Sequence, residues 1–222
     1  MEELSFREFA WVTQALFGAG SDTTAATLNT FMLAITAFPE ALKAAQEELD
    51  TVVGPDRLPS FEDEEQLPYI RAMVKETLRW RPVAVLGGTP HGNIADDYYN
   101  GYLIPKGTTV LGNLWAINHS PVYYPDPHTF EPRRFLQDPQ FADAKPFPAD
   151  KASPSFGWGR RICPGEHLAT NSVFSVISRV CWAFSVKKYV DENGIVEEPD
   201  TFSYTDGGFN TRPNPFRKYY LS

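Results

Sequence analysis

At 222 residues the chain has room for one domain or one large part of a domain. Its 42% hydrophobic and 22% charged residues suit a packed core, and 14% aromatics with 19 prolines suggest long ordered connections rather than disorder. A formal net charge of −8 argues against nucleic acid as the main partner, because gripping a phosphate backbone takes a basic surface.

In chain order, Phe6 to Phe38 predicts one long helix of roughly 50 Å, apolar on most sides through Phe9, Val12, Leu16, Phe17, Leu28, Phe31, Leu33 and Ile35. Such all-round apolarity implies burial in a large core. Pro39 ends this helix and opens a second, which runs to about Val53 and stops at Gly54-Pro55. Phe61 to Gln66 reads as a short acidic turn, and Pro68 starts a third helix that ends near Arg81-Pro82. From Val83 to Val110 the helical period disappears, and Asn100-Gly101 and Pro105-Lys106-Gly107 mark turns between short strands. Asn113 to Asn118 predicts a short helix, and the Pro-, Asp- and Phe-rich run to about Ser155 an ordered, meandering loop. After Pro164-Gly165 a fourth long helix reaches about Trp182, followed by a small β region around Asn193-Gly194 and Gly207-Gly208. The fold class is mainly α with small β elements.

No stretch approaches the roughly 20 apolar residues that span a bilayer, and no secretory segment opens the chain, so it reads as soluble or peripheral. Its cysteines, Cys163 and Cys181, make no disulfide framework, which favours a reducing compartment, and lie too far apart for a paired redox or zinc motif.

Three places carry chemistry. In the ten residues from Phe156 to Gly165, three glycines surround Cys163 and a helix follows at once. Glycine permits a positive φ and close backbone approach to a flat ligand. A helix N-terminus together with Arg161 favours the thiolate, which can ligate iron. A structural cysteine in a glycine-rich turn is the rival reading; Cys181 has no such setting and reads as core. Within the long helix, Ala19-Gly20-Ser21-Asp22-Thr23-Thr24 puts an acid and alcohols in an apolar run. Either a local kink binds the threonine hydroxyls back to carbonyls, or acid and alcohol hold a water and relay protons. On the third helix Glu76 and Arg79 are three apart and share a face, with Met73 and Trp80 beside Glu76, so the pair reads as buried, an exposed pair of little weight being the rival.

The Phe156–Gly165 segment matches FxxGxRxCxG at Phe156, Gly159, Arg161, Cys163 and Gly165, and the whole chain resembles the cytochrome P-450 superfamily of heme-thiolate monooxygenases, fungal microsomal members in particular. The resemblance implies that residues 1–222 are the C-terminal portion of a single cytochrome P-450 domain whose N-terminal half is absent. It implies heme b (iron protoporphyrin IX) with Cys163 as metal ligand, Arg161 on a propionate, and Phe156 near the thiolate. Ala19, Gly20, Asp22 and Thr23 fit the family's (A/G)Gx(D/E)T, which makes Asp22 and Thr23 the catalytic pair. Thr23 would steady dioxygen while Asp22 helps deliver protons. Glu76 and Arg79 fit its ExxR, and Pro132, Arg134 and Phe135 its PxRF. The three charges would form a buried structural network bracing the heme loop, although Arg133 replaces an acid usual in that segment. His91 stands where the family often has a basic residue contacting a propionate; a surface turn histidine is the rival.

The implied activity is insertion of one oxygen atom from O2 into a small lipophilic substrate, with electrons from NADPH through a reductase. Arg160, Arg161, Lys187 and Lys188 are candidates for the reductase docking patch, a merely solvated charged face being the rival, and Val83 to Thr89 with Gly207 to Phe209 would line the distal pocket. Full-length relatives are expected on the cytosolic face of the endoplasmic reticulum membrane, through an N-terminal anchor that the chain as written lacks. A heme-thiolate sensor or isomerase fits less well, because such a protein would be expected to lose the Asp22-Thr23 pair. Because the first helix expects partners that the chain does not supply, a truncated, non-catalytic fragment is the alternative. The isolated polypeptide is then expected to bind heme weakly, if at all.

Overall fold

The computed structural model describes residues 4–144, 154–205 and 210–221. Helix α1 (Phe6–Ala37) starts in a capping box: Ser5 Oγ accepts from the Glu8 N–H and Glu8 Oε2 accepts from the Ser5 N–H at 2.9 Å. It runs unbroken through Gly18 and Gly20. Pro39 stops it, and α2 (Pro39–Val52) leaves at 101°.

Burial divides α1 in two. From Ala26 onward it is core, with Phe31, Leu33, Ala34 and Ile35 at 0–1% exposure. Before that, Phe6, Phe9, Trp11, Val12, Leu16 and Phe17 are 50–88% exposed. The expected burial of Phe9, Val12, Leu16 and Phe17 therefore fails. Periodicity records that a helix wants cover on all sides, and no described segment supplies it here.

Helix α2 buries Ala41, Leu42, Ala45 and Leu49, one amphipathic stripe. Its Glu48 caps the next helix from outside. Helix α3 (Pro68–Trp80) lacks a side-chain cap of its own, and the Glu48 carboxylate accepts from the Tyr69 and Ile70 N–H groups at 2.8 and 3.0 Å. Phe61–Gln66 is a 3-10 helix rather than a simple turn, closed by a Ser60–Asp63 capping box and the Arg57–Asp63 ion pair at 2.6 Å. Helix α5 (Glu166–Ala183) packs on α1, α2 and α3 and completes the core with Val173, Phe174, Ile177 and Cys181. Cys181 is fully buried, its Sγ 3.9 Å from Met73 Sδ, and burial pushes its thiol well above the usual range. Trp80 meets Phe38 and Phe130 edge-on, with centroids 5.6 and 5.7 Å away.

The strands form three two-stranded ladders. Strands β2 (Asp97–Tyr99) and β3 (Tyr102–Ile104) make a hairpin whose turn, Asn100 and Gly101, has both φ values positive, as a two-residue type I′ loop requires. Strands β1 (His91–Gly92) and β4 (Thr109–Val110) pair around it. Val83 to Pro90 is not strand. Helix α4 (Leu114–Asn118) follows, and the meander holds 3-10 turns at Pro132–Phe135, Pro139–Phe141 and Pro154–Phe156. At the far end β5 (Ser185–Lys188) pairs with β6 (Lys218–Leu221), a ladder that the sequence pattern does not announce. Around Asn193-Gly194 there is a single Val190–Val196 bridge, and Gly207-Gly208 lies outside the described residues. No single helix among the described residues is long and apolar enough to cross a membrane.

Candidate functional site

The cysteine loop is closed by its own backbone. The Cys163 N–H donates to Phe156 O at 2.8 Å, and the Glu166 N–H to Cys163 O at 3.3 Å. Gly157 and Gly159 take φ of +81° and +60°, which side-chain-bearing residues rarely adopt. Gly165 differs: its φ is −88°, it is the N-cap of α5, and a Cβ there would stand 3.7 Å from Cys163 Sγ, an ordinary contact. Cys163 is exposed, as are Gly159 and Arg161, and Phe156 is half-buried. The loop is tied to its surroundings twice. Ser155 Oγ donates to Leu78 O at 2.9 Å, and the Trp158 ring lies so close to Gly112 that any Cβ there would overlap it.

Helix α3, to which Ser155 ties the loop, also presents the charged cluster. Glu76 is fully buried and accepts four hydrogen bonds: from Arg79 Nε and Nη2 at 2.6 and 2.8 Å, Arg134 Nε at 3.0 Å and the Glu131 N–H at 2.8 Å. Both arginine side chains are 3% exposed and spend their other donors on the Asn118, Pro127 and Pro125 carbonyls. Two cations on one buried carboxylate, each with its remaining N–H groups satisfied, is the arrangement that makes burial of charge tolerable. Arg133, the departure from the family pattern, turns outward and pairs with Glu131 at 2.6 Å.

Asp22 and Thr23 lie just before the buried half of α1. Thr23 Oγ1 donates back to Ala19 O at 2.7 Å, and Asp22 Oδ2 accepts from Asn210 Nδ2 at 3.0 Å. No described hydrogen bond joins this pair to Cys163 or to the Glu76 cluster. His91 is exposed on β1, opposite Val110. Of the four basic residues read as a patch, Arg160, Arg161 and Lys187 are exposed, whereas Lys188 is paired with Glu198 at 2.6 Å. Gly207 to Phe209 lies outside the described residues.

One cluster had no signal in the sequence. Arg81, 3% exposed, donates to Thr201 O and Trp80 O, each at 3.0 Å, and lies over the Trp80 and Phe202 rings. Its Nη1 is 3.2 Å from Nε2 of His119, which stacks on Trp115 with centroids 3.9 Å apart. His119 Nδ1 donates to Trp115 O at 2.8 Å, leaving Nε2 to accept, and burial pushes the imidazole down to about 4. Arg81 and Trp115 border a cavity of about 100 Å³.

A heme would need only one donor atom from the protein, since the macrocycle supplies four nitrogens. An exposed thiol in a glycine-freed turn ahead of a helix fits that demand. Among the described residues no three His, Cys, Asp or Glu side chains gather into a metal site of their own. The cytochrome P-450 family profile matches residues 1–213. A cytochrome P-450 monooxygenase of Armillaria gallica is 46% identical over 220 residues, covering 97% of this chain and 42% of that protein. Another, from Postia placenta, is 42% identical over 220 residues, covering 96% and 40%. A solved zebra fish cytochrome P-450 with abiraterone superposes with a TM-score of 0.78 at 33% identity, covering 94% of this chain and 45% of that one. The chain thus spans about two-fifths of the length of the curated relatives it matches.

Proposed function

The chain belongs to the cytochrome P-450 family, and from that premise we propose that it serves a heme-dependent monooxygenase acting on a small lipophilic substrate. One atom of O2 enters a substrate C–H bond and the other leaves as water, with two electrons from NADPH, relayed by a reductase, and two protons. Heme b, when bound, supplies the iron chemistry that reduces O2 and passes one oxygen atom to the substrate.

Cys163 would hold that group as thiolate, with Arg161 and His91 toward its carboxylates and Phe156 beside the sulfur. The role of Glu76, Arg79 and Arg134 is to keep α3 and the meander fixed, through the bonds described above. Thr23 donates its hydroxyl hydrogen to Ala19 O, which leaves its oxygen to act as an acceptor until the rotor turns. Asp22 is the acid through which protons would reach the site. Lipophilic substrates accord with the zebra fish relatives, solved with abiraterone and with progesterone. A place on the cytosolic face of the endoplasmic reticulum membrane belongs to the same reading.

The exposed thiol at the end of the Gly157–Gly159 turn carries this proposal. It predicts that the heme-loaded protein gives the long-wavelength ferrous–CO absorbance of a thiolate ligand and that Cys163→Ala abolishes it. The same band in Cys163→Ala would reject the assignment. A second reading, a non-catalytic chain that holds heme weakly by itself, is favoured by the exposed apolar half of α1. Titration of the chain with hemin separates the two: tight binding at one heme per chain rejects the second.

A further inference from the structure

Asp22 has a solitary position. It is exposed on α1, forms no ion pair among the described residues, and has one described side-chain partner, Asn210, 188 positions further along the chain. That partner is itself fixed. The next residue, Thr211, donates its backbone N–H to Val83 O at 2.8 Å and brings Oγ1 within 3.3 Å of the same oxygen. Thr205 donates its N–H to Arg212 O at 2.9 Å, the Arg212 N–H returns to Thr205 Oγ1 at 3.2 Å, and Tyr204 bridges Pro213. Tyr204 in turn places its hydroxyl 3.5 Å from Thr30 Oγ1, two turns along α1 from Asp22. The segment carrying Asn210 is therefore attached both to α1 and to the chain leaving α3.

The kind of partner matters. Asp63, in the same protein, shows what a guanidinium does: Arg57 and the Ser60 N–H hold that carboxyl well below its ordinary range and offset its charge. A neutral amide orients a carboxylate without cancelling its charge. The other end of the Asn210 amide is free, since Oδ1 is buried and has no hydrogen-bond partner among the described residues. A buried acceptor beside an acid is the setting in which an ordered water is held.

Resting on the monooxygenase reading above, we infer that Asn210 is a positioning residue for Asp22. Its Nδ2–H group fixes one orientation of the carboxylate, and its Oδ1 accepts from the water through which Asp22 passes protons. Asn210→Leu keeps the shape and removes both polar atoms, and Asn210→Gln restores the amide. In the heme-loaded holoenzyme, Asn210→Leu lowers kcat about tenfold, the worth of one hydrogen bond to a charged group, with substrate KM unchanged. A larger share of reducing equivalents is lost as hydrogen peroxide, and the slowing in D2O grows. Asn210→Gln recovers part of this, and in an Asp22→Asn background Asn210→Leu changes nothing further. A crystal structure of Asn210→Leu shows the Asp22 carboxylate turned from its present orientation. An unmoved carboxylate, unchanged peroxide loss, or an equal penalty in the Asp22→Asn background overturns the inference while the thiolate CO band of the unsubstituted protein persists. Absence of that band overturns the monooxygenase reading, and this one with it.

Discussion

Replacing Glu76 by glutamine tests whether the buried cluster is held by charge. In the native chain one carboxylate, fully buried, faces two guanidinium groups that are each 3% exposed. Glutamine retains one oxygen, which keeps three of the four hydrogen bonds in the place of Oε1 or one in the place of Oε2, sets its NH2 group against the remaining donors and leaves both cations without a counter-charge. Removing one partner of a buried pair costs about 3–5 kcal/mol. The carbonyls of Asn118, Pro127 and Pro125 continue to serve the arginines and keep the cost from rising further. At about 2–4 °C per kcal/mol for a chain of this size, the unfolding midpoint falls by roughly 6–20 °C. Circular dichroism melts of the heme-loaded protein measure it, with Arg133→Ala as control. Arg133 pairs with Glu131 in the open, at 50% exposure, and its loss is worth at most about 1 kcal/mol. A Glu76→Gln midpoint no lower than that of Arg133→Ala would show that charge neutralisation in the cluster contributes nothing and would refute the reasoning.

Gly112→Ala forces the Trp158 ring away, costs about 1–3 kcal/mol and loosens the cysteine loop; an unaltered tryptophan fluorescence spectrum would show that the ring does not rest there. The Arg57–Asp63 pair should make itself felt through acid sensitivity. Asp63 titrates lower folded than unfolded, so its stabilisation is full above about pH 4 and is lost as pH falls further. Urea midpoints of Arg57→Ala and the native chain should therefore differ at neutral pH and converge toward pH 2; a constant gap contradicts the assignment. His119 acts in a higher window. It stays neutral in the fold down to about pH 4, while the unfolded chain takes up its proton near pH 6.5, so stability declines as pH drops from about 6.5 to 4. His119→Gln should flatten that slope, and an unchanged slope means that another group is responsible.

Local order was legible because proline and glycine punctuate it. Pro39 and Pro68 open helices where read, Asn100-Gly101 turns a hairpin, and Gly165 ends the loop before α5. The Glu76–Arg79 contact follows from a spacing of three on a helix, and Arg134 joins it as the resemblance implied. What was not legible lies between distant segments. Nothing in Ser185–Lys188 marks Lys218–Leu221 as its partner, and an asparagine at position 210 does not announce an aspartate at 22. The exposed half of α1 was misread for a different reason. An apolar period states a demand for cover and is silent on whether the cover is present, so Phe9 and Phe31 look alike until their neighbours are known.

The burial boundary on α1 has a mechanical meaning. The helix is clamped from Ala26 to its end and overhangs before that, like a beam set in a wall. Asp22 and Thr23 project about one turn from the clamp, where even a flexible rod deflects little. Phe6 is about 30 Å out, where the same bending is amplified many times. At the root of the overhang, Asp22 and Thr23 share the stiffness of the core while remaining next to whatever lies against the free span.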